Sequence, residues 1–224
     1  FDWWTIRIDN TIVADLPTDI LNDCYVQNIA ERCSSELFTR DAALGFVNTM
    51  RFGSRNAGFR IVEGYDFDAN YSFDVGRFGG FVVNLQSTYL DRDAIATNDL
   101  PTTIPNEDVG FAVQAQTTHR VRANANVTWT LGDFGLTWGA RYYSGLKELC
   151  LNAGFFPGEC SDPTFVGPTP QQSGTYNRLG SNIFHDLQVR WNTPWNGTLA
   201  FGANNVFEHF GQPMYSQPNA NVSY

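Results

Sequence analysis

The chain has 224 residues, 42% hydrophobic and 17% charged, a balance that excludes disorder by composition and allows one large β domain or two small ones. A net charge of −9 without any basic patch excludes nucleic acid as a partner. Aromatics reach 15% and Lys147 is the only lysine, a profile suited to many strands joined by turns.

No apolar run approaches the roughly 18 residues of a membrane helix. Mean hydropathy is mildly negative, which leaves a membrane barrel open, because barrel strands alternate and average out. No signal peptide opens the chain, and its first residues already read as mid-strand.

In chain order, the pattern predicts a first strand over Trp3–Ile12, with Trp4, Ile6, Ile8 and Ile12 opposite Thr5, Arg7, Asp9 and Thr11. A non-strand segment follows, Val13 to about Asn56. It holds a helix predicted over Thr18–Ala30, started by Pro17 and carrying Leu21, Tyr25 and Ile29 as a stripe. Phe59–Phe73 alternates as a second strand, turns at Asp74–Gly79, and returns over Phe81–Tyr89. A polar loop, Arg92–Gly110, leads to a strand predicted from Phe111 to Leu131. Gly132–Gly135 turns it into Phe134–Tyr142. A long Gly- and Pro-rich loop, Ser144–Gly180, precedes the strand Asn182–Asn192, the turn 193–197 and a last alternating run from Thr198 to Glu208. The rest, Gln212–Tyr224, reads as polar coil.

About seven strands result, and their connections alternate. Short aromatic turns lie at one end (74–79, 132–135, 193–197) and long polar segments at the other (13–56, 92–110, 144–180, 208–224). An antiparallel up-and-down transmembrane barrel has this asymmetry, with short periplasmic turns and long extracellular loops. In a soluble β-sandwich the same alternation would bury the apolar face between two sheets. Aromatics beside every short turn favour the barrel: Phe73 and Phe78, Trp129 and Phe134, Trp191 and Trp195 make a girdle at one membrane interface. Seven strands with two free edges do not close, so the chain is expected to be a segment of a larger barrel.

The four cysteines fall into two local pairs, Cys24 with Cys33 and Cys150 with Cys160, each in a polar stretch that a disulfide would staple in an oxidising compartment. No C-x-x-C is present, so a zinc site is not expected. His119, His185 and His209 are far apart in sequence without ligand spacing. No nucleophile elbow, phosphate loop or dinucleotide fingerprint occurs. The reading is therefore not an enzyme: no catalytic residue, cofactor or metal is assigned.

The blocks FDWWTIRIDNTI, LPTDILNDCY, GDFGLTWGARYYSG and HDLQVRWNTPWNGTLAFGANNVFE, in this order and spacing, resemble the C-terminal part of TonB-dependent outer-membrane receptors. The run Asn204-Asn205-Val206-Phe207 is similar to that family's Asn-Leu-Phe near the penultimate strand. Thr118 stands where the family often has Pro, and Pro213 comes later than usual. The resemblance implies a plugged barrel of about 22 strands, with the plug domain and the last strand outside this sequence. It also implies a nutrient importer of the Gram-negative outer membrane, energised through TonB, for siderophore-iron, a carbohydrate or a similar ligand. A passive porin-type barrel and a secreted β-sandwich are the alternatives. The implied partners are the lipid bilayer, the receptor's own plug, the TonB system and a small nutrient.

Eight charged residues fall on the polar face and are candidates for lining the lumen or touching a plug: Arg7, Asp9, Asp66, Asp68, Arg122, Arg141, Asp186 and Arg190. The long loops carry Tyr25, Phe38, Phe155, Phe156 and Phe165, which suit either ligand contact or packing of the loops on one another.

Overall fold

The computed structural model describes residues 1–98, 104–113, 116–149 and 176–211. Its strands are β1 (Asp2–Asp15), β2 (Phe38–Arg40), β3 (Val47–Met50), β4 (Gly53–Asp74), β5 (Gly80–Ala96), β6 (Asn106–Glu107) and β7 (Phe111–Val113). After these come β8 (Gln116–Thr117), β9 (Val121–Leu131), β10 (Phe134–Tyr143), β11 (Leu146–Leu149), β12 (Tyr176–Leu179), β13 (Asn182–Asn192) and β14 (Thr198–Ala203). One α-helix, α1 (Pro17–Tyr25), and 3-10 turns at Ala30–Cys33 and Gly76–Phe78 complete the described elements. The main sheet runs β1-β4-β5-β9-β10-β13-β14, with β6 beside β5; β12-β11-β7-β8 and β2-β3 form smaller sheets. The seven-strand path does not close, and the neighbouring pairs from β5 to β14 are antiparallel, so the fold is an open, all-β barrel segment as the pattern predicts.

The residues group into two compact units. One comprises Phe1–Thr5, Val62–Asp93 and Glu107–Tyr224; the other comprises Ile6–Ile61 and Ala94–Asn106.

In the first unit the register fixes two faces. Phe81 pairs with Trp129, Trp129 with Leu136, and Leu136 with Val189; one row further on, Val83, Val127, Trp138 and Leu187 are opposite one another. Side chains in a strand alternate, so these residues share one apolar face. That face is open: Trp138 is 38% exposed, Leu187 40% and Phe201 73%. A sandwich would have buried them between sheets. The short turns at its end are specified locally. Gly79 has φ +87°, and a Cβ there would meet Thr130 O at 2.2 Å. Thr193 closes the last turn, accepting the Gly197 N–H at 2.9 Å while its own N–H reaches Gly197 O at 2.7 Å.

In the second unit Pro17 at the start of α1 suits a position whose N–H is unsatisfied anyway. The helix buries Ile20 and Cys24 against Phe38. It stops at Tyr25, short of the predicted Ala30, because Asn28 takes φ +56° and the chain re-enters as a 3-10 turn. Cys24 and Cys33 are joined by a disulfide. Cys150 and Cys160 lie outside the described residues.

Other expectations are corrected. The segment 13–56 is not free of strands: it carries the β2–β3 hairpin. Strands β4 and β5 run further than predicted, to Gly53 and Ala96. The predicted strand from Phe111 to Leu131 is three elements: β7 turns back on β8, and only β9 joins the main sheet. The loop 144–180 contributes β11 and β12. The final run stops at Ala203 rather than Glu208. Ala203 pairs with Leu187, yet the N–H bonded to His185 O belongs to Val206, one residue late. Asn205 is the extra residue, at φ +50°, and it marks a β-bulge.

Candidate functional site

The polar face of the first unit is the candidate site, built from the alternate residues of β4, β5, β9, β10 and β13. Thr88 donates to Asp66 at 2.6 Å and Asn70 donates to Asn84, which sets Asp66, the intervening Asp68 and Asn70 on the face of Thr88 and Asn84. Thr88 stands opposite Arg122, Asn84 opposite Asn126, Asn126 opposite Gly139, and Gly139 opposite Asp186. One level therefore runs Asn70, Asn84, Asn126, Gly139, Asp186 across five strands.

Of the eight predicted charges, this face brings two into direct contact. Arg141 grips Asp186 through Nε at 3.1 Å and Nη2 at 3.2 Å, a bidentate pair. Asp186 also accepts the N–H of Asn205 at 2.8 Å, so one carboxylate ties β10, β13 and the bulge after β14. Arg190 lies over Gly135: a Cβ there would be 3.3 Å from its Nε. Arg122 reaches Thr117 O at 3.4 Å. Among the described residues neither Arg122 nor Arg190 makes an ion pair. Arg7 and Asp9 belong to the other unit, where they pair with each other at 2.7 Å and Arg7 covers the Phe59 ring at 4.4 Å.

The predicted aromatics gather at the short-turn end. Phe73 stacks on Phe81 at 5.2 Å, Phe134 on Trp191 at 6.2 Å, and Trp195 meets Trp191 edge-on at 5.7 Å. Trp129 Nε1 donates to Phe78 O at 2.7 Å, anchoring the indole to the neighbouring turn. A second aromatic row was missed in sequence. Tyr89 stands opposite Val121, Tyr142 opposite Ala123 and Ile183, and Tyr65 is 6.2 Å from Tyr89, all on the apolar face near the long loops. A strand from Leu131 to Val121, at the tilt of roughly 40° that barrel strands have, would rise about 25 Å.

The three histidines, distant in sequence, lie toward the loop end of β10 and β13 without touching one another, His185 on the apolar face and the other two at the ends of a row of rings. Rings run His119, Tyr143, Phe184, His209 at centroid spacings of 5.3, 6.1 and 5.3 Å, while His185 stacks on Trp138 at 5.5 Å. His119 Nδ1 donates to Ser144 O at 2.6 Å. Burial holds its imidazole below the ordinary value; the Ser144 bond opposes this and the Arg122 charge adds to it. His209 Nε2 lies 2.8 Å from Asn182 Oδ1, and the His209 backbone is clasped by the Asn205 amide at 3.0 and 2.9 Å. Among the described residues no three His, Cys, Asp or Glu are arranged to hold a metal ion.

The second unit contains a charged cluster that sequence reasoning missed. Buried Arg32 donates from Nη1 to Asp15 Oδ2 at 2.9 Å, from Nη2 to Asp15 Oδ1, and from Nε to Asp23 Oδ2 at 3.1 Å. Arg55 adds a 3.3 Å approach to Asp15. Desolvation lowers the guanidinium's pKa, but Asp15 and Asp23 outweigh it and hold it above its ordinary value. The pairs Asp23–Cys24 and Arg32–Cys33 are adjacent in sequence, so ion network and disulfide clamp one loop side by side. Tyr25 and Phe38 pack on each other at 6.1 Å under Arg40, which donates to Tyr25 Oη at 2.8 Å. Phe155, Phe156 and Phe165 lie outside the described residues.

A family model described as TonB dependent receptor-like, beta-barrel, matches residues 1–206. No curated protein and no solved structure matches the chain.

Proposed function

This chain belongs to the TonB-dependent receptor-like β-barrel family, and on that premise we propose that it forms part of an outer-membrane importer that captures a scarce nutrient and moves it with energy delivered through TonB. The family is one of outer-membrane receptors and transporters, not enzymes. The observation that carries the reading is the open apolar face, flanked by aromatics at the short turns and again toward the long loops. In water such a face is a liability; in a bilayer it is the required surface.

On this reading Trp138 and Leu187 meet lipid of a Gram-negative outer membrane. Phe73, Phe78, Trp129, Phe134, Trp191 and Trp195 lie at the periplasmic interface, and Tyr65, Tyr89 and Tyr142 at the outer one. The polar face turns to the lumen. There Arg122 and Arg190 are available to a plug domain outside this sequence, as are Asp66 and Asp68. Further strands cover the edges of β1 and β14, since bare strand edges in lipid leave backbone groups unpaired. The ligand, of siderophore-iron, carbohydrate or similar chemistry, is captured by the loops and plug.

The test uses the full-length gene product. Expected results are recovery in the outer-membrane fraction, a mobility shift on heating, and nutrient-dependent growth that is lost when TonB is deleted. Growth indifferent to TonB would replace the energised importer with a passive porin. Recovery as a soluble monomer without detergent would overturn the barrel reading.

A further inference from the structure

In the second unit Asp23 precedes Cys24 and Arg32 precedes Cys33, so an ion pair and a disulfide join the same two places in the chain. The segment between them is closed without the sulfurs. The N–H groups of Val26 and Gln27 reach Asn22 O at 2.8 and 3.0 Å, Ile29 N–H reaches Asp23 O at 2.9 Å, and Arg32 N–H reaches Ile29 O at 3.0 Å. Arg32 then fastens its end twice, to Asp23 of α1 and to Asp15 at the end of β1. Arg55 of β4 approaches the same Asp15 at 3.3 Å and donates from Nη2 to Thr97 O at 3.3 Å. Buried, hydrogen-bonded charges are costly to part. The cluster therefore keeps the Cys24 and Cys33 backbones close, where their Cα atoms are 4.9 Å apart, a spacing a disulfide accepts.

The two cysteines differ in access. Cys24 is 4% exposed and packs with Ile20 and Phe38, whereas Cys33 is exposed. Thiol–disulfide exchange requires access to the sulfur that is attacked or attacks, so a reagent from outside meets Cys33 first.

We propose that Cys33 is the exchange site of a redox-addressable clamp, with Cys24 as its resolving thiol and Arg32 as the residue that positions the two. On closing, the Cys33 thiolate attacks an external disulfide, that of a dithiol oxidase or of glutathione, and expels one thiolate. The Cys24 thiolate then attacks the Cys33 sulfur of the mixed disulfide and expels the second. Two electrons pass to the external disulfide, and the two protein thiol protons end on the released thiols. Opening is the reverse: an external thiolate attacks the Cys33 sulfur and Cys24 leaves. Because the ion cluster holds both ends, the pair opens and closes while α1 stays folded. The clamp stands apart from the importer reading and does not depend on it.

The test uses the full-length gene product, purified in detergent and equilibrated in glutathione redox buffers, with peptide mass mapping of both cysteines. Cys24→Ser is expected to carry glutathione at Cys33, and Cys33→Ser to carry none at Cys24 in the same buffer. Adducts at both positions, at neither, or at Cys24 alone overturn the exchange site. Titration of the parent gives the reduction potential of the pair. Arg32→Ala is expected to raise it by about 30 mV or more, a tenfold or greater loss of closure, and Arg32→Lys, which keeps a cation beside Asp15 and Asp23, by less. An unchanged potential in Arg32→Ala, or a Lys variant as weak as Ala, overturns the positioning role. Hydrogen exchange at the α1 amides follows the fold; should Arg32→Ala abolish their protection altogether, Asp15→Asn, which removes one partner of Arg32, is read in its place and is expected to raise the potential in the same sense. Protection at α1 that vanishes when the parent is reduced overturns the clamp.

Discussion

Two neighbouring residues test which face meets lipid. Leu187 stands opposite Trp138 on the apolar face, and Gln188, next in the chain, stands opposite Thr137 on the polar face. The apolar band from the Leu131 row to the Val121 row spans about 25 Å, and the Leu187 row falls within one residue of its middle. Leu187 is already 40% exposed in the chain, so an arginine there needs no repacking. Its cost is then the transfer of charge into hydrocarbon, about 2–4 kcal/mol near the midplane. Gln188→Arg places the same charge in a wet lumen, where it costs well under 1 kcal/mol. Urea unfolding of the full-length receptor in liposomes, followed by the fraction resisting the heat-induced mobility shift, measures both. Equal costs at the two positions, or a greater cost at Gln188, would refute the assignment of faces and with it the membrane reading.

Arg32→Ala leaves buried Asp15 and Asp23 with only Arg55 nearby, so protection of the α1 amides should fall by about 3 kcal/mol, roughly a hundredfold faster hydrogen exchange; a change under threefold would deny the cluster its anchoring role. Asp19 has its carboxyl raised, first by desolvation and then by Asp23 and Asp15, against an opposing backbone hydrogen bond. The folded state thus holds that proton more tightly than the unfolded one, and ionisation opposes folding above the raised pKa. Asp19→Asn should therefore increase α1 protection at neutral pH, with the gain vanishing as pH falls through the raised value; a gain that grows in acid would contradict the sign. Asn205→Gly keeps the left-handed backbone and loses the clasp on His209, whereas Asn205→Ala loses both. Exchange at Val206 and His209 should rise in the order parent, Gly, Ala, with the Ala variant about 1–2 kcal/mol worse than Gly.

The strands that cross the apolar band were legible because one face must be apolar and the other polar, and Phe81–Tyr89 or Phe134–Tyr142 obey that strictly. The strand extensions were not. Beyond the band the apolar–polar alternation stops: Asp91, Arg92 and Asp93 continue β5, and Asp93, Ala94 and Ala96 are buried there, Asp93 beside Glu107 and Asp108, which no period of two reveals. The segment Phe111–Thr117 misled for the opposite reason: it is apolar enough for a strand, but Gly110 at φ +83° and the return over Thr118 fold it into a hairpin against β11. The bulge at Asn205 is invisible to a period count, because it exists only in the mismatch with β13. The ion cluster was missed since its members are 17 and 9 residues apart and each alone reads as a solvated charge.

The chain uses charge in two ways, and the contrast bears on where specificity lies. In the second unit Arg32, Asp15 and Asp23 are buried, fully bonded and next to a disulfide, so they hold a loop in place and offer nothing to a solute. On the polar face the Arg141–Asp186 ion pair also receives the Asn205 N–H and so fixes the turn after β14 rather than a ligand. Outside that pair, Arg122, Arg190, Asp66 and Asp68, with the neutral amides beside them, are the groups left to meet a passing molecule or a plug. A single hydrogen bond is worth about 1 kcal/mol, so recognition there depends on several of these groups acting together.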